Sequence, residues 1–149
     1  MGAAAQLGAM TTSDKPEDHE RLKVFGENLG LAFQIQDDLL DYYGKQSIVG
    51  KPIGNDFKDK KITLPLIHAF QNAEEKKIKE IKKLLKYDVS SKDVSYIIQF
   101  VENYGGIEYT KQRQNDYAFQ AQKSLNSYEN NDVKEALLNF IEFIINRTK

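Results

Sequence analysis

The densest chemistry in the chain is the segment Phe33-Gln34-Ile35-Gln36-Asp37-Asp38-Leu39-Leu40-Asp41. On a helix, Gln34, Asp37, Asp38 and Asp41 stand at i, i+3, i+4 and i+7 and share one stripe. A stripe that only had to face water would rarely be built this way. Asp costs a helix about 0.5 kcal/mol or more relative to Ala. Asp37 and Asp41 repel at i, i+4, and carboxylates near a helix C-terminus oppose the macrodipole. No Lys or Arg lies between Lys23 and Lys45 to offset them. Three carboxylates on one face therefore imply a missing cation. Donors that are all oxygen point to a hard ion, and Mg²⁺ commonly takes one or two carboxylates together with phosphate oxygens and water.

The following stretch carries the opposite sign. From Gly44 to Ile62, five lysines (Lys45, Lys51, Lys58, Lys60 and Lys61) face two aspartates (Asp56 and Asp59), a net of +3. Gly50-Lys51-Pro52-Ile53-Gly54-Asn55-Asp56 lets backbone approach a ligand while Lys51 directs a charge at it. An aspartate helix followed by a Gly/Lys loop suits a Mg²⁺–diphosphate pair, with metal ligands on one side and fixed cations on the other.

The elements that must position these groups read as helices throughout. The spacing predicts a helix from Pro16 to Tyr43, with proline in its first turn and Gly44 ending it. Its apolar stripe is Leu22, Phe25, Leu29, Ala32, Phe33, Gln36, Leu39, Leu40 and Tyr43, with Gln36 the one polar interruption. Gly2 to Met10 also reads as helix, without a capping residue ahead of it. Gly44 to Lys61 has no helical period, and connections this long tend to be functional lids or binding loops. Thr63-Leu64-Pro65 restarts the helical pattern. Ala73 to Tyr87 is amphipathic through Ile78, Ile81, Leu84 and Leu85, with lysines on the other face. Ser90-Ser91-Lys92-Asp93 resembles a capping signal for a helix carrying Val94, Ile97, Ile98 and Val101, stopped at Asn103-Tyr104-Gly105-Gly106. A polar helix is expected from Ile107 to about Tyr128. Asn131-Asp132 should cap a last one with Val133, Leu137, Phe140, Ile141 and Ile144 inside. Strand alternation and internal repeats are missing, so the fold class is all-α.

Composition narrows the function. The length of 149 residues suits one domain, and a net charge of −1 gives no global attraction to nucleic acid or an anionic surface. The absence of cysteine removes thiolate metal sites, disulfides and a cysteine nucleophile, and His19 and His68 lack metal-ligand spacing. No apolar run approaches the roughly 20 residues of a membrane span, and the N-terminal residues are a poor signal peptide. A cytoplasmic protein is expected.

Taken in order, Phe33-Gln34, Asp37-Asp38, Asp41, Gly50-Lys51, Gly54-Asn55-Asp56, Lys61 and Thr63-Leu64-Pro65 resemble the second aspartate-rich region of the polyprenyl synthetases, the trans-isoprenyl diphosphate synthases. Gly8-Ala9, the Phe25–Ala32 run and Gly105-Gly106-Ile107-Glu108-Tyr109 also look like the family, and the terminal segments look most like long-chain bacterial (octaprenyl-type) members. The resemblance implies the C-terminal part of an isoprenoid-synthase helical bundle. It implies a Mg²⁺-dependent homodimer condensing isopentenyl diphosphate with an allylic diphosphate. Carried over residue by residue, Asp37 and Asp38 would ligate metal with Asp41 supporting, and Asp37 would serve the catalytic step. Lys51 and Lys61 would bind and neutralise the departing diphosphate, with Gln34 and Asp56 orienting these groups.

The family's first aspartate-rich motif, its following arginine pair, and its upstream Gly-x-Lys and Lys-Thr pair do not occur in this sequence. The expectation is therefore that residues 1–149 are the C-terminal half of a synthase domain, inactive alone. Leu7, Phe25, Leu29, Phe33 and Leu40 would then lie on faces left uncovered, favouring self-association. Two other readings compete: a non-catalytic regulatory subunit of a heteromeric prenyl synthase, and a helical interaction module using the lysine face of Ala73–Tyr87. A terpene cyclase also uses DDxxD, but the Gly-Lys loop argues for a synthase.

Overall fold

A computed structural model describes residues 1–43 and 53–147. Among them are eight helices and no strand: α1 (Gly2–Met10), α2 (Pro16–Tyr43), α3 (Asn55–Lys58), α4 (Leu64–Asn72), α5 (Glu75–Lys86), α6 (Ser91–Asn103), α7 (Gly106–Ser124) and α8 (Asp132–Asn146). The all-α expectation holds. The residues group into two compact units, Met1–Gln36 with Arg113–Arg147, and Asp37–Gln112.

In the first unit, α2 presents Phe25 and Leu29 to Ala118, Ala121 and Leu125 of the α7 segment and to Ile141 and Ile144 of α8. Phe25 and Leu29 are therefore buried by this chain itself, which corrects the expectation of an uncovered face there. Leu7, at 62% exposed, does remain open. Gln36, the polar interruption of the stripe, is buried with its amide satisfied. It donates to the Arg147 carbonyl at 2.6 Å and accepts from Gln114 Nε2 at 2.8 Å. A buried amide without such partners would be costly.

One boundary and one helix face in this unit differ from expectation. The polar helix α7 ends at Ser124, four residues early, because the chain tightens into i→i−3 bonds from Leu125 to Gln122 (3.0 Å) and from Asn126 to Lys123 (3.1 Å). That turn drops Leu125 into the core. On α8, Val133 and Phe140 lie outside, exposed by 69% and 44%, while Ile141 and Ile144 are buried. Asn131 caps the helix as expected, accepting from Lys134 N at 2.8 Å.

The second unit packs α4 against α6 around Leu66, Ala69, Ile97, Phe100 and Val101. Ser90 and Asp93 form the reciprocal capping box that opens α6. Gly106 lets α7 begin directly against α4, since a Cβ there would overlap the Pro65 carbonyl. At the end of α2 the buried ring is Tyr42, not the expected Tyr43. Tyr42 meets Phe57 edge-on at 5.3 Å, and Tyr43 is 42% exposed beside Lys111. Phe57 itself belongs to α3, a helical turn inside a stretch expected to have none.

Candidate active site

The chemistry of the second unit gathers where α2 ends. Asp37 and Asp38 are half-buried on α2. One turn on, Asp41 is also half-buried, and each of its carboxylate oxygens accepts a backbone N–H. Its Oδ1 accepts from Asn55 N and its Oδ2 from Asp56 N, both at 3.0 Å. The Asp41 carbonyl, left without an intrahelical partner by the helix end, accepts from Gly54 N at 3.1 Å.

Bonds to an ionised acceptor contribute about 1.5 to 3 kcal/mol each. That explains how the acidic stripe can include an aspartate near a helix C-terminus. Burial pushes the Asp41 carboxyl above its ordinary value and the nearby Asp56 charge adds to this, while the three backbone bonds oppose it.

The turn that reaches Asp41 depends on Gly54, which caps α3 at φ +76°. A Cβ at this position would stand 2.5 Å from Val94 Cγ1, so both its backbone and its surroundings call for glycine. Phe57, fully buried, anchors the turn from the inside. Tyr42 braces its other end through a 3.2 Å hydrogen bond between its hydroxyl and Thr63 Oγ1, and burial raises the Tyr42 hydroxyl well above the ordinary tyrosine range.

Lys61 follows the turn, with its backbone N–H donating to the Asp56 carbonyl at 2.8 Å. Its ammonium donates to Asp56 Oδ1 at 3.3 Å and lies 3.1 Å from Asp59 Oδ2. These partners hold the Lys61 amine above its ordinary range, Asp59 first and Asp56 next. Two of its three N–H donors are thus engaged and one remains for a ligand.

The structure therefore brings Asp41, Asp56 and Lys61 together and keeps Asp37 and Asp38 on the same helix end. Gln34 is exposed and belongs to the first unit. Lys51, with Gly50 and Pro52, lies outside the described residues. Sequence reasoning missed Asp59, Tyr42 and Thr63. In the sequence Asp59 stands out only as charge, and Thr63 only as a helix start and the first residue of the Thr-Leu-Pro motif.

Among the described residues, no three His, Asp or Glu side chains form a cluster able to hold a metal ion alone. The donor set of Asp37 and Asp38 is hard oxygen, and it fits a cation that completes its shell with phosphate oxygens and water. Around Lys61 one positive charge faces two carboxylates, so this part of the site would take a polyanion best with a divalent cation alongside.

A family profile described as polyprenyl synthetase matches residues 1–101. Together with the all-helical fold and the aspartate-rich end of α2, this makes the chain a member of the polyprenyl synthetase family. Among curated relatives it is 33% identical over 147 residues to a short chain isoprenyl diphosphate synthase of Methanothermobacter thermautotrophicus, covering 99% of this chain and 45% of that one. It is 29% identical to the octaprenyl diphosphate synthase of Escherichia coli, covering 99% and 46% respectively. Among solved structures, a polyprenyl synthase from Caulobacter crescentus complexed with calcium and isoprenyl diphosphate matches with TM-score 0.89 and 31% identity, over 99% of this chain and 45% of that one. The chain thus spans a little under half the length of these relatives. Their names run from short-chain to octaprenyl products. No helix among the described residues is long and apolar enough to cross a membrane.

Proposed function

We propose that these residues supply the diphosphate-binding side of a prenyltransferase site that condenses isopentenyl diphosphate with an allylic diphosphate in isoprenoid biosynthesis. The observation that carries the reading is the joining of the aspartate helix to the Lys61 turn through Asp41 and Asp56. In the proposed reaction the allylic C–O bond breaks, its electron pair leaves with the diphosphate, the isopentenyl double bond attacks the allylic cation, and a proton is lost.

Asp37 and Asp38 would hold Mg²⁺ against the diphosphate, with Asp41 supporting. Bound there, Mg²⁺ supplies positive charge to phosphate oxygens that gain negative charge as the bond breaks. Lys61 presents its remaining N–H to the same oxygens, held in place by Asp56 and kept protonated by both carboxylate partners. Lys51 would donate from the loop, and Gln34 would orient the diphosphate from α2. Fixed donors of this kind act where charge develops, so their loss should appear in kcat. The active species is proposed to be a homodimer in the cytoplasm, and the chain by itself to be inactive.

A chimera tests the reading: these 149 residues replace the equivalent segment of the E. coli octaprenyl diphosphate synthase. The chimera should incorporate radiolabelled isopentenyl diphosphate, and Lys51→Ala within it should lower kcat at least about tenfold, equal to about 1.4 kcal/mol. A folded chimera without transfer would reject the proposal. Normal kcat with a raised KM would assign Lys51 to ground-state binding instead.

A further inference from the structure

The outer face of α5 carries a charge pattern that the candidate active site does not use. At about 100° per residue, Lys76, Lys79, Lys82, Lys83 and Lys86 fall within an arc of about 120°, opposite the buried Ile81 and Leu85. All five are exposed, and at about 1.5 Å per residue the row is about 15 Å long. Glu75 pairs with Lys79 at 2.6 Å. On the flank, Glu80 takes Lys77 at 3.1 Å and the Tyr96 hydroxyl at 2.8 Å. Lys76, Lys82, Lys83 and Lys86 form no ion pair among the described residues. The Lys82 ammonium stands 5.6 Å from the centre of the Phe70 ring. Tyr87, exposed by 63%, ends the row.

Like charges at i, i+3 and i, i+4 weaken a helix, so this row works against α5, which the burial of Ile81 and Leu85 holds in place. The chain's net charge of −1 supplies no long-range pull on an anion. At physiological salt, however, charges more than about 8 Å apart are largely screened, so an anion at α5 feels this row and not the total. The geometry says which anion fits. The row is the convex ridge of a helix, and its cations are lysines, point charges on flexible stems rather than planar forks that grip one carboxylate or phosphate. A ridge of this kind suits many anions spread over a plane, and a lysine cluster on an amphipathic helix is the pattern that anionic lipid headgroups attract. Because the apolar face of α5 is already buried within its unit, the contact is electrostatic adsorption and not insertion. Tyr87 brings an amphipathic ring suited to headgroup level.

We propose that the lysine row of α5 adsorbs this chain onto an anionic phospholipid bilayer, lying along the headgroups without entering the hydrocarbon. The adsorption goes beyond the proposed prenyl transfer and does not depend on it. Where the transfer operates, the bilayer is the phase that takes up the hydrocarbon tail of a polyprenyl product.

Co-sedimentation of the 149-residue chain with phosphatidylcholine vesicles, with and without about 30% phosphatidylglycerol, tests the proposal. The chain should bind the anionic vesicles only, and raising salt from about 0.05 to about 0.5 M should release it. Each lysine lost should weaken binding roughly fivefold, so the double variant Lys83→Gln/Lys86→Gln should bind about 25-fold less tightly. Replacing Lys76, Lys82, Lys83 and Lys86 together by Gln should abolish sedimentation, and replacing the same four by Arg should preserve it. Lys15→Gln/Lys123→Gln removes two exposed charges elsewhere and should weaken binding less than about threefold. Circular dichroism checks that each variant keeps its helices. No binding of the wild-type chain to anionic vesicles would overturn the proposal, as would wild-type binding by the fourfold Gln variant or loss of binding in the Arg variant. Equal binding to neutral vesicles would move the contact to exposed apolar residues such as Leu7 and Leu31 and overturn it too. Capture by immobilised polyglutamate at a salt concentration that releases the vesicles would assign the row to an acidic protein instead.

Discussion

Gly54→Ala isolates the turn that builds the candidate site. The backbone there sits at φ +76°, where a residue with a Cβ costs about 1 to 2 kcal/mol. The new methyl would also lie 2.5 Å from Val94 Cγ1, 2.9 Å from Cγ2 and 3.1 Å from the Phe57 ring. Val94 and Phe57 are both buried, so neither can swing into solvent, and overpacking of this kind costs about 1 to 3 kcal/mol. The total is about 2 to 5 kcal/mol, a large share of a small domain's stability.

Val94→Ala removes the two methyls involved and alone costs about 1.6 kcal/mol at roughly 0.8 kcal/mol per buried group. In the double variant the steric part disappears while the backbone part stays. The pair should therefore be less destabilising than the sum by about 1 to 3 kcal/mol. Urea denaturation followed by far-ultraviolet circular dichroism measures all three variants. A Gly54→Ala cost below about 0.5 kcal/mol, or additivity within that margin, would refute the reasoning.

Tyr42→Phe should cost about 1 kcal/mol in the same denaturation assay by removing the bond to Thr63, and no loss would mean the contact is not formed in solution. Asp18 titrates below its ordinary value of 3.8 because it accepts from Ser13 at 2.7 Å, with Tyr128, Lys15 and Arg21 adding to the effect. The associated stabilisation is present above that value and fades as pH falls through the folded-state value, so NMR titration should show Ser13→Ala moving Asp18 upward. Light scattering should find the chain as a dimer or larger, since Leu7, Met10 and Leu31 of the first unit are exposed by 62%, 54% and 47%. A monodisperse monomer would contradict this. A radiolabelled isopentenyl-transfer assay on the chain alone should give no product, and turnover would overturn the proposal that it is inactive by itself.

Much of this protein is written locally. The helical period, the Ser90–Asp93 capping box, the Asn131 cap and the proline-led starts of α2 and α4 depend on neighbours within a few residues, so spacing alone reveals them. The acidic stripe was legible for the same reason, because i, i+3, i+4 and i+7 positions share a face in any helix. Periodicity could not say which side of each helix meets a partner. Tyr42 and not Tyr43 is buried because Phe57 stands beside it, and Val133 and Phe140 lie outside because Ile141 and Ile144 meet Phe25 and Leu29.

The α3 turn was invisible because a one-turn helix has no period, and it exists here through three distant supports. These are the left-handed Gly54, the buried Phe57 and the Asp41 carboxylate fourteen residues upstream of Asn55. What tertiary structure alone decided is which of these groups are already bonded within the chain. The sequence places three aspartates on one stripe, and only the fold shows that both oxygens of Asp41 accept backbone amides, just as Lys61 reads as a free cation until Asp56 and Asp59 close around it. Residue type and spacing state which groups can ionise or donate. Only the packed chain determines which of their lone pairs and protons are already taken.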